Sequence, residues 1–270
     1  MSLLISKPSG SLSPYIKQYW MIENCMRPGA IYTHRIVPCG LMELTFHLGD
    51  VPKVNNYQLS LPDNALISGQ LNEYYEIDVS GHLSMFSVTF QPQGAMMFFD
   101  LPLIELFNQN IPLRFLQKEL VEEVESGLFK ATSFSQKIKI IEKYLIRQLH
   151  ENIKEHKGQR INDSIRKISQ SLGKISIGEL ASNACLSRKQ YERIFTESIG
   201  ISPKRFLKIV RFQNVIYQRQ LSHKSNLTTL AYECGYFDQS HMINDFKMLS
   251  GKTPSQYFRE GEAISDYFSN

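Results

Sequence analysis

The sequence predicts an α+β fold. A β-rich N-terminal half, closed as a sandwich or small barrel with trailing helices, precedes an all-α half of two helix-turn-helix units joined by a long helix. Three observations carry this. Before residue 91, short stretches alternate apolar and polar side chains with period two, as half-buried strands do. Between residues 176 and 259 the chain says nearly the same thing twice at an offset of 50 to 51 residues, which marks a duplicated supersecondary unit. Charge is also lopsided: residues 160–270 hold 16 Lys and Arg against 10 Asp and Glu, and residues 1–159 hold 14 against 16.

In chain order, residues 15–22 form an aromatic and apolar strand containing Tyr19, Trp20, Met21 and Ile22. Met42, Leu44, Phe46 and Leu48 alternate with Glu43, Thr45 and His47, and Phe86, Val88 and Phe90 alternate with Met85, Ser87 and Thr89. Gly-Asp, Pro-Asp-Asn and Ser-Gly turns fall between them. After Gly94 the pattern turns helical. Residues 95–99 and 103–107 read as short apolar helices, and 116–128 as an amphipathic helix rich in glutamate. Residues 135–150 carry Ile138, Ile141, Leu145 and Leu149 on one stripe, which either pairs two chains or packs on its own domain. The polar stretch 151–160 reads as a linker between a domain of residues 1–155 and one of residues 160–262.

Each copy of the repeat reads as a short helix, a tight turn and a second helix. In the first, Ser176 and Glu179 form a capping box, the turn falls at Cys185-Leu186, and Ser187 with Gln190 opens a second box. Tyr191, Ile194 and Phe195 point inward, leaving Arg188, Lys189, Glu192 and Arg193 outward. In the second copy Gly235 supplies the turn and Asp238 the cap. Met242, Phe246 and Leu249 are buried, and Gln239, Ser240, His241, Asn244 and Lys247 stay open. Gly200 and Gly251 end the two second helices, and Ser202-Pro203 and Thr253-Pro254 start the ones that follow. Ala181 maps on Ala231 at an offset of 50, whereas Phe195, Gly200 and Pro203 map on Phe246, Gly251 and Pro254 at 51, so the second turn holds an added residue.

At 270 residues the chain suits two domains, each able to bury a core. It has no run of eighteen apolar residues, so no membrane partner is expected. Residues 1–8 lack a charged region leading into a secretory apolar segment. Cys25, Cys39, Cys185 and Cys234 are scattered without zinc-finger spacing, and a reduced, cytoplasmic protein is expected. Cys185 and Cys234 read as small buried side chains at the two turns. There is no His-x-His, so no metal site and no cofactor is expected.

The doubled pattern resembles the AraC/XylS family of bacterial transcription regulators over residues 160–260. The Leu-Ser-Arg-Lys-Gln start at Leu186, the Cys-Gly-Tyr-Phe-Asp-Gln-Ser-His start at Cys234, and the closing units from Pro203 to Phe206 and Pro254 to Tyr257 carry the likeness. Residues 34–46, 68–70, 88–95 and 111–113 resemble the sensor domain of some such regulators, which implies a cupin-like barrel. The resemblance implies that paired reading helices enter successive major grooves of double-stranded DNA, and that RNA polymerase is a partner. It also implies that Lys189, Gln190, Glu192 and Arg193, then Gln239, Ser240, His241 and Asn244, face bases. Many relatives carry arginine where Asn244 stands, and Asp245 beside it is expected to bring negative charge near the duplex.

The residue types suit that task. Arg193 or Lys189 can pair with guanine N7 and O6, Gln190, Gln239 or Asn244 with adenine, and Glu192 with cytosine N4. Lys204, Arg205, Lys208 and Arg211 are candidates for phosphate. In the N-terminal half Arg35, Glu43, His47 and His82 are polar groups suited to line a pocket for an effector of unassigned chemistry, and Trp20, Tyr74, Tyr75 and Phe90 are aromatics suited to stack on one. The reading is a DNA-binding regulator, with a homodimer as a further expectation. A cupin-like or alkyl-transfer enzyme fused to a DNA-binding module, or a DNA-binding protein whose N-terminal half only dimerises, remain the alternatives.

Overall fold

The structure, a computed structural model, describes residues 2–8, 10–55, 61, 63–116, 118–151, 155–222, 226–260 and 266–268, with 118–120, 151 and 155–160 described by backbone alone. The chain divides into two compact units. One comprises Met1–Ile36, Leu41–Gln70 and Tyr75–His156, the other Val37–Gly40, Leu71–Tyr74 and Lys157–Asn270.

The first unit holds strands β1 (Ser2–Ser6), β2 (Ile16–Cys25), β3 (Tyr32–Ile36), β4 (Glu43–His47), β5 (Lys53–Val54), β6 (Ala65–Ser68), β7 (Tyr75–Val79), β8 (His82–Phe90) and β9 (Asn110–Pro112). They form a six-stranded antiparallel sheet in the order β1-β2-β8-β4-β6-β9 and a three-stranded sheet β3-β7-β5. The register sets Leu44 opposite Val88 and Phe46 opposite Phe86, so these apolar residues share one face. That face joins Leu12, Tyr19, Phe98, Phe99, Leu103 and Leu106 in the main core.

Helices α1 (Lys118–Lys130) and α2 (Phe134–Glu151) cover it, with Val121, Val124 and Leu128 from the first and Ile141, Tyr144 and Leu145 from the second. Ile138 and Leu149 pack against the same core. Of the two expected uses of the stripe on α2, the structure shows packing on its own domain. Lys137 is buried and gives its ammonium to the carbonyls of Leu128 and Ala131 at 2.6 and 2.8 Å. This caps the C-terminus of α1, where carbonyls lack helical partners. The stretches expected as helices at 95–99 and 103–107 are single 3-10 turns, Ala95–Met97 and Leu103–Leu106, interrupted where Pro102 has no amide to give.

The second unit takes in part of the stretch read as a linker. Residues 155–160 of the presumed linker are the start of α3 (Glu155–Gln170), whose Ile161, Ile165 and Ile168 are buried at helical spacing. Residues 152–154 lie outside the described residues. The doubled motif follows as α4 (Ile177–Asn183) and α5 (Arg188–Ile199), then α7 (Leu227–Glu233) and α8 (Gln239–Ser250), and α9 (Pro254–Arg259) closes the domain. Between the copies lies α6 (Pro203–Leu221), 19 residues long and so about 28 Å. Its Phe206, Leu207, Ile209, Val210, Phe212, Val215 and Ile216 are all buried, along with Gln213 and Asn214, so it is the central rod of the unit. Gln213 donates to the Pro38 carbonyl at 2.9 Å. The domain also runs past residue 262: Tyr267 packs on Phe206 and meets Ser169 at 2.9 Å.

Both copies turn in the same way. Leu186 N bonds Ala181 O, and Tyr236 N bonds Ala231 O. The left-handed residue is Cys185 (φ 54°) in the first and Gly235 (φ 80°) in the second. Cys185 is thus exposed, against expectation, because it is the counterpart of Gly235, while buried Cys234 matches Ala184. Ile194, expected inside, is half-buried. Ser176 accepts from Glu179 N at 3.1 Å, and Ser187 with Gln190, like Thr253 with Gln256, makes a complete capping box.

A left-handed backbone carrying a Cβ is strained, and at Gly235 the added carbon would stand 2.7 Å from Lys174 Cγ. Gly235→Ala is expected to destabilise the second unit by about 1–2 kcal/mol, and Cys185→Gly to stabilise it slightly, read as shifts in urea unfolding midpoints.

Candidate nucleic-acid interface and inner sheet face

The first-turn chemistry of the reading helices follows from their caps. Ser187, Ser202 and Asp238 satisfy amides at the N-termini of α5, α6 and α8, so no acidic residue is needed there. None is present in any of these three first turns. Instead α5 opens with exposed Arg188 and Lys189, and α6 with exposed Lys204 and Arg205. Cations at a helix N-terminus oppose the macrodipole and cost stability, but together with the dipole they form a field that suits phosphate.

On α5, Lys189, Gln190 and Arg193 are exposed and Glu192 is half-buried. Arg188 Nε meets Glu192 Oε1 at 2.9 Å, and Arg193 lies 3.5 Å from Glu197. Such exposed i,i+4 pairs contribute about 0.3–0.5 kcal/mol and exchange easily for another anion. Gln190 is more committed. Its Oε1 accepts from both the amide and the hydroxyl of Ser187 at 3.1 and 2.8 Å, so a bidentate pairing with adenine would break the capping box.

On α8, Ser240, His241, Asn244 and Lys247 are exposed, and Gln239 accepts from Thr228 Oγ1 at 2.7 Å. Asp245 overturns an expectation. It is buried, and Lys208 Nζ of α6 lies 2.8 Å from it, so its charge is answered inside the domain rather than turned outward. His241 Nε2 stands 3.7 Å from Asp245, with its ring edge-on to Tyr236 at 5.2 Å. Two phosphate candidates are also engaged inward: Lys208 in that ion pair, and Arg211, which bonds the Gly173 carbonyl at 3.3 Å and lies over the Tyr236 ring. Sequence reasoning missed them because the partners are remote in the chain.

In the first unit the face of the six-stranded sheet opposite the main core is polar yet buried. Trp20 Nε1 donates to Glu43 at 3.1 Å, Thr89 to the same carboxylate at 2.8 Å, and Thr45 and Ser87 meet at 3.1 Å. His47 shares this face and is 2% exposed, with no partner for Nδ1 among the described residues. Burial pushes its imidazole down to about 4. Tyr75, Ile77 and Val79 of the smaller sheet are also buried, outside the main core.

Trp20, Glu43 and His47 are thus brought to one face. Arg35 is not, since its register partner is Glu76, which it grips at 2.6 Å on the outward side of β3 and β7. Tyr74 belongs to the second unit, where its ring fills the space beside Gly251. Phe90 lies in the main core, Tyr75 is buried in the smaller sheet, and His82 is exposed.

Residues 180–260 match a family described as a helix-turn-helix domain. The C-terminal half therefore carries a helix-turn-helix domain. Residues 5–112 match a family described as a domain of unknown function. An HTH-type transcriptional regulator of Haemophilus influenzae is 41% identical over 81 residues, which is 30% of this chain and 27% of that protein. A probable transcriptional regulator of Photobacterium leiognathi, LumQ, is 30% identical over 148 residues, 53% of this chain and 56% of that one. The chain thus spans about a quarter to just over half the length of these relatives. Among solved structures, ToxT of Vibrio cholerae aligns over 90% of this chain and 99% of its own at 10% identity, with a TM-score of 0.49. The helix-turn-helix match begins at α4 and ends with α9, so α3 and the segment around Tyr267 add to the domain outside it.

His47 gives the first unit a pH signature. Its folded value lies below its ordinary 6.5, so its contribution to stability is full above pH 6.5 and is lost as pH falls through 4. We expect a loss on the order of 3 kcal/mol between pH 7 and 4, and His47→Gln should remove that part of the slope in denaturant titrations at each pH.

Proposed function

We propose that this protein is a sequence-specific, double-stranded DNA-binding transcription regulator, not an enzyme. The observation that supports this best is the pair of matched helix-turn-helix units whose reading helices, with α6, start in acid-free first turns, two of them basic. The names of the related transcriptional regulators agree with it. In this reading Lys189, Glu192, Arg193, Gln239, Ser240, His241 and Asn244 reach base edges, with Gln190 fixing the start of α5. Arg188, Lys204, Arg205 and Lys247 bind phosphate. The connecting helix, about 28 Å long, is suited to hold two such helices near the roughly 34 Å of one DNA turn. The domains are taken as residues 1–36, 41–70 and 75–156, and residues 157–270 completed by the segments 37–40 and 71–74.

The N-terminal unit is proposed to bind a small-molecule effector at the inner sheet face around Trp20, Glu43 and His47. RNA polymerase is the proposed protein partner, and the cytoplasm the proposed site of action. An effector held only by the folded form raises the melting temperature, so a thermal-shift screen of small metabolites tests this half. No shift with any compound that alters DNA binding would remove it.

For the DNA-binding half, the full chain should bind duplexes selected from a random library with affinity that falls steeply as salt rises. Arg193→Ala should weaken the selected site by roughly 1–3 kcal/mol and relax one base position. Replacing Lys204 and Arg205 by Ala should flatten the salt slope without changing base preference. Binding that ignores salt, or an Arg193→Ala variant with an unchanged site, would overturn these assignments.

A further inference from the structure

The residue added in the second copy can now be located. Leu186 and Tyr236 close equivalent turns, and Ser187 and Asp238 are equivalent caps. Ser187 follows Leu186 directly, whereas Phe237 stands between Tyr236 and Asp238. The chain takes up the extra residue by extension, with φ −152° at Asp238 against −63° at Ser187. Phe237 is 84% exposed, while Tyr236 before it is buried. A phenyl ring is therefore held in water immediately before the first turn of α8, without contributing to the core.

We infer that Phe237 is a specificity-determining residue of the second unit that reads thymine through its 5-methyl group. This rests on the DNA-binding reading above. The N-terminal end of a reading helix is the part that reaches base edges. In the major groove thymine alone presents an apolar group, and a phenyl ring, unable to exchange hydrogen bonds, is matched to it and to no other base edge. The hydrogen-bonding side chains that follow, Ser240, His241 and Asn244, are also exposed and suit the neighbouring positions. A protein-docking anchor would sit within a contiguous apolar patch. Here Gly235 precedes the pair of aromatics, and Asp238 and Gln239 follow. The first unit has no counterpart, so the two units read by different chemistry.

The test uses the full chain and a duplex selected by it from a random library. Each thymine is replaced in turn by deoxyuridine, which removes the methyl alone. One substitution should weaken wild-type binding about fourfold, the value of one buried methyl-sized group. Phe237→Ala should bind the thymine duplex about fourfold more weakly than wild type and be indifferent to deoxyuridine at that position. Phe237→Leu should keep the sensitivity, and since the ring is exposed all variants should melt as wild type does. If Phe237→Ala and the deoxyuridine change act additively, or Phe237→Ala binds as wild type does, the inference fails while DNA binding stands. Unchanged binding with lost transcription would assign the ring to a protein partner and overturn it equally. A chain that selects no duplex overturns the DNA-binding reading, and this inference with it.

Discussion

The C-terminal domain depends on one aromatic contact made twice. Phe195 of α5 meets Phe206 edge-on with ring centroids 5.6 Å apart, and Phe246 of α8 meets Tyr257 edge-on at 5.3 Å. Phe195 and Phe246 are equivalent in the repeat, as are Phe206 and Tyr257, so the same joint fixes each reading helix to the helix that follows it. Phe246 also meets Phe212 at 4.8 Å, which ties the second joint back to α6. Such pairs contribute about 0.5–1.5 kcal/mol each beyond the area they bury. Because α6 is buried nearly all round, both reading helices are referred to one rod that cannot bend without opening the core.

Charged side chains sort around that rod by what they touch. Lys208 and Arg211 lie on α6 and turn to Asp245 and to the Gly173 carbonyl, so they stabilise the unit. Arg188, Lys189, Lys204 and Arg205 lie at first turns, where a cation works against the dipole. The serine caps offset part of that cost, since each contributes about 1 kcal/mol. Part of the excess of basic residues in this half is therefore taken up by partners inside the domain.

What the sequence made legible is what is local. Caps, boxes and turns depend on residues within five positions of each other, and Ser187, Ser202, Asp238, Thr253, Gly200 and Gly251 stand where the pattern put them. The side chains misread were those whose partners are far away. Asp245 is answered by Lys208 across two helices, and Arg35 by Glu76 on the neighbouring strand. Helix α3 was hidden because its first turns are polar and only Ile161, Ile165 and Ile168 show its buried face. In the first unit, period two gave β4 and β8, but it did not say which of the two faces the helices cover.

That last distinction bears on function. The helix-covered face is filled with Leu44, Phe46, Phe86, Val88 and Phe90, and it would fold as well with any set of similar volume. The opposite face buries Thr45, His47, Ser87 and Thr89, groups that lose hydration on folding and recover it only through partners. Hydrogen bonds answer Glu43, Thr45, Ser87 and Thr89, but Nδ1 of His47 has none among the described residues. An apolar residue at 47 would avoid that cost, so the imidazole is not what stability alone selects there. The cations in the first turns of α5 and α6 break the same rule in the other unit. Local choices that oppose stability are what a binding surface looks like before its ligand arrives.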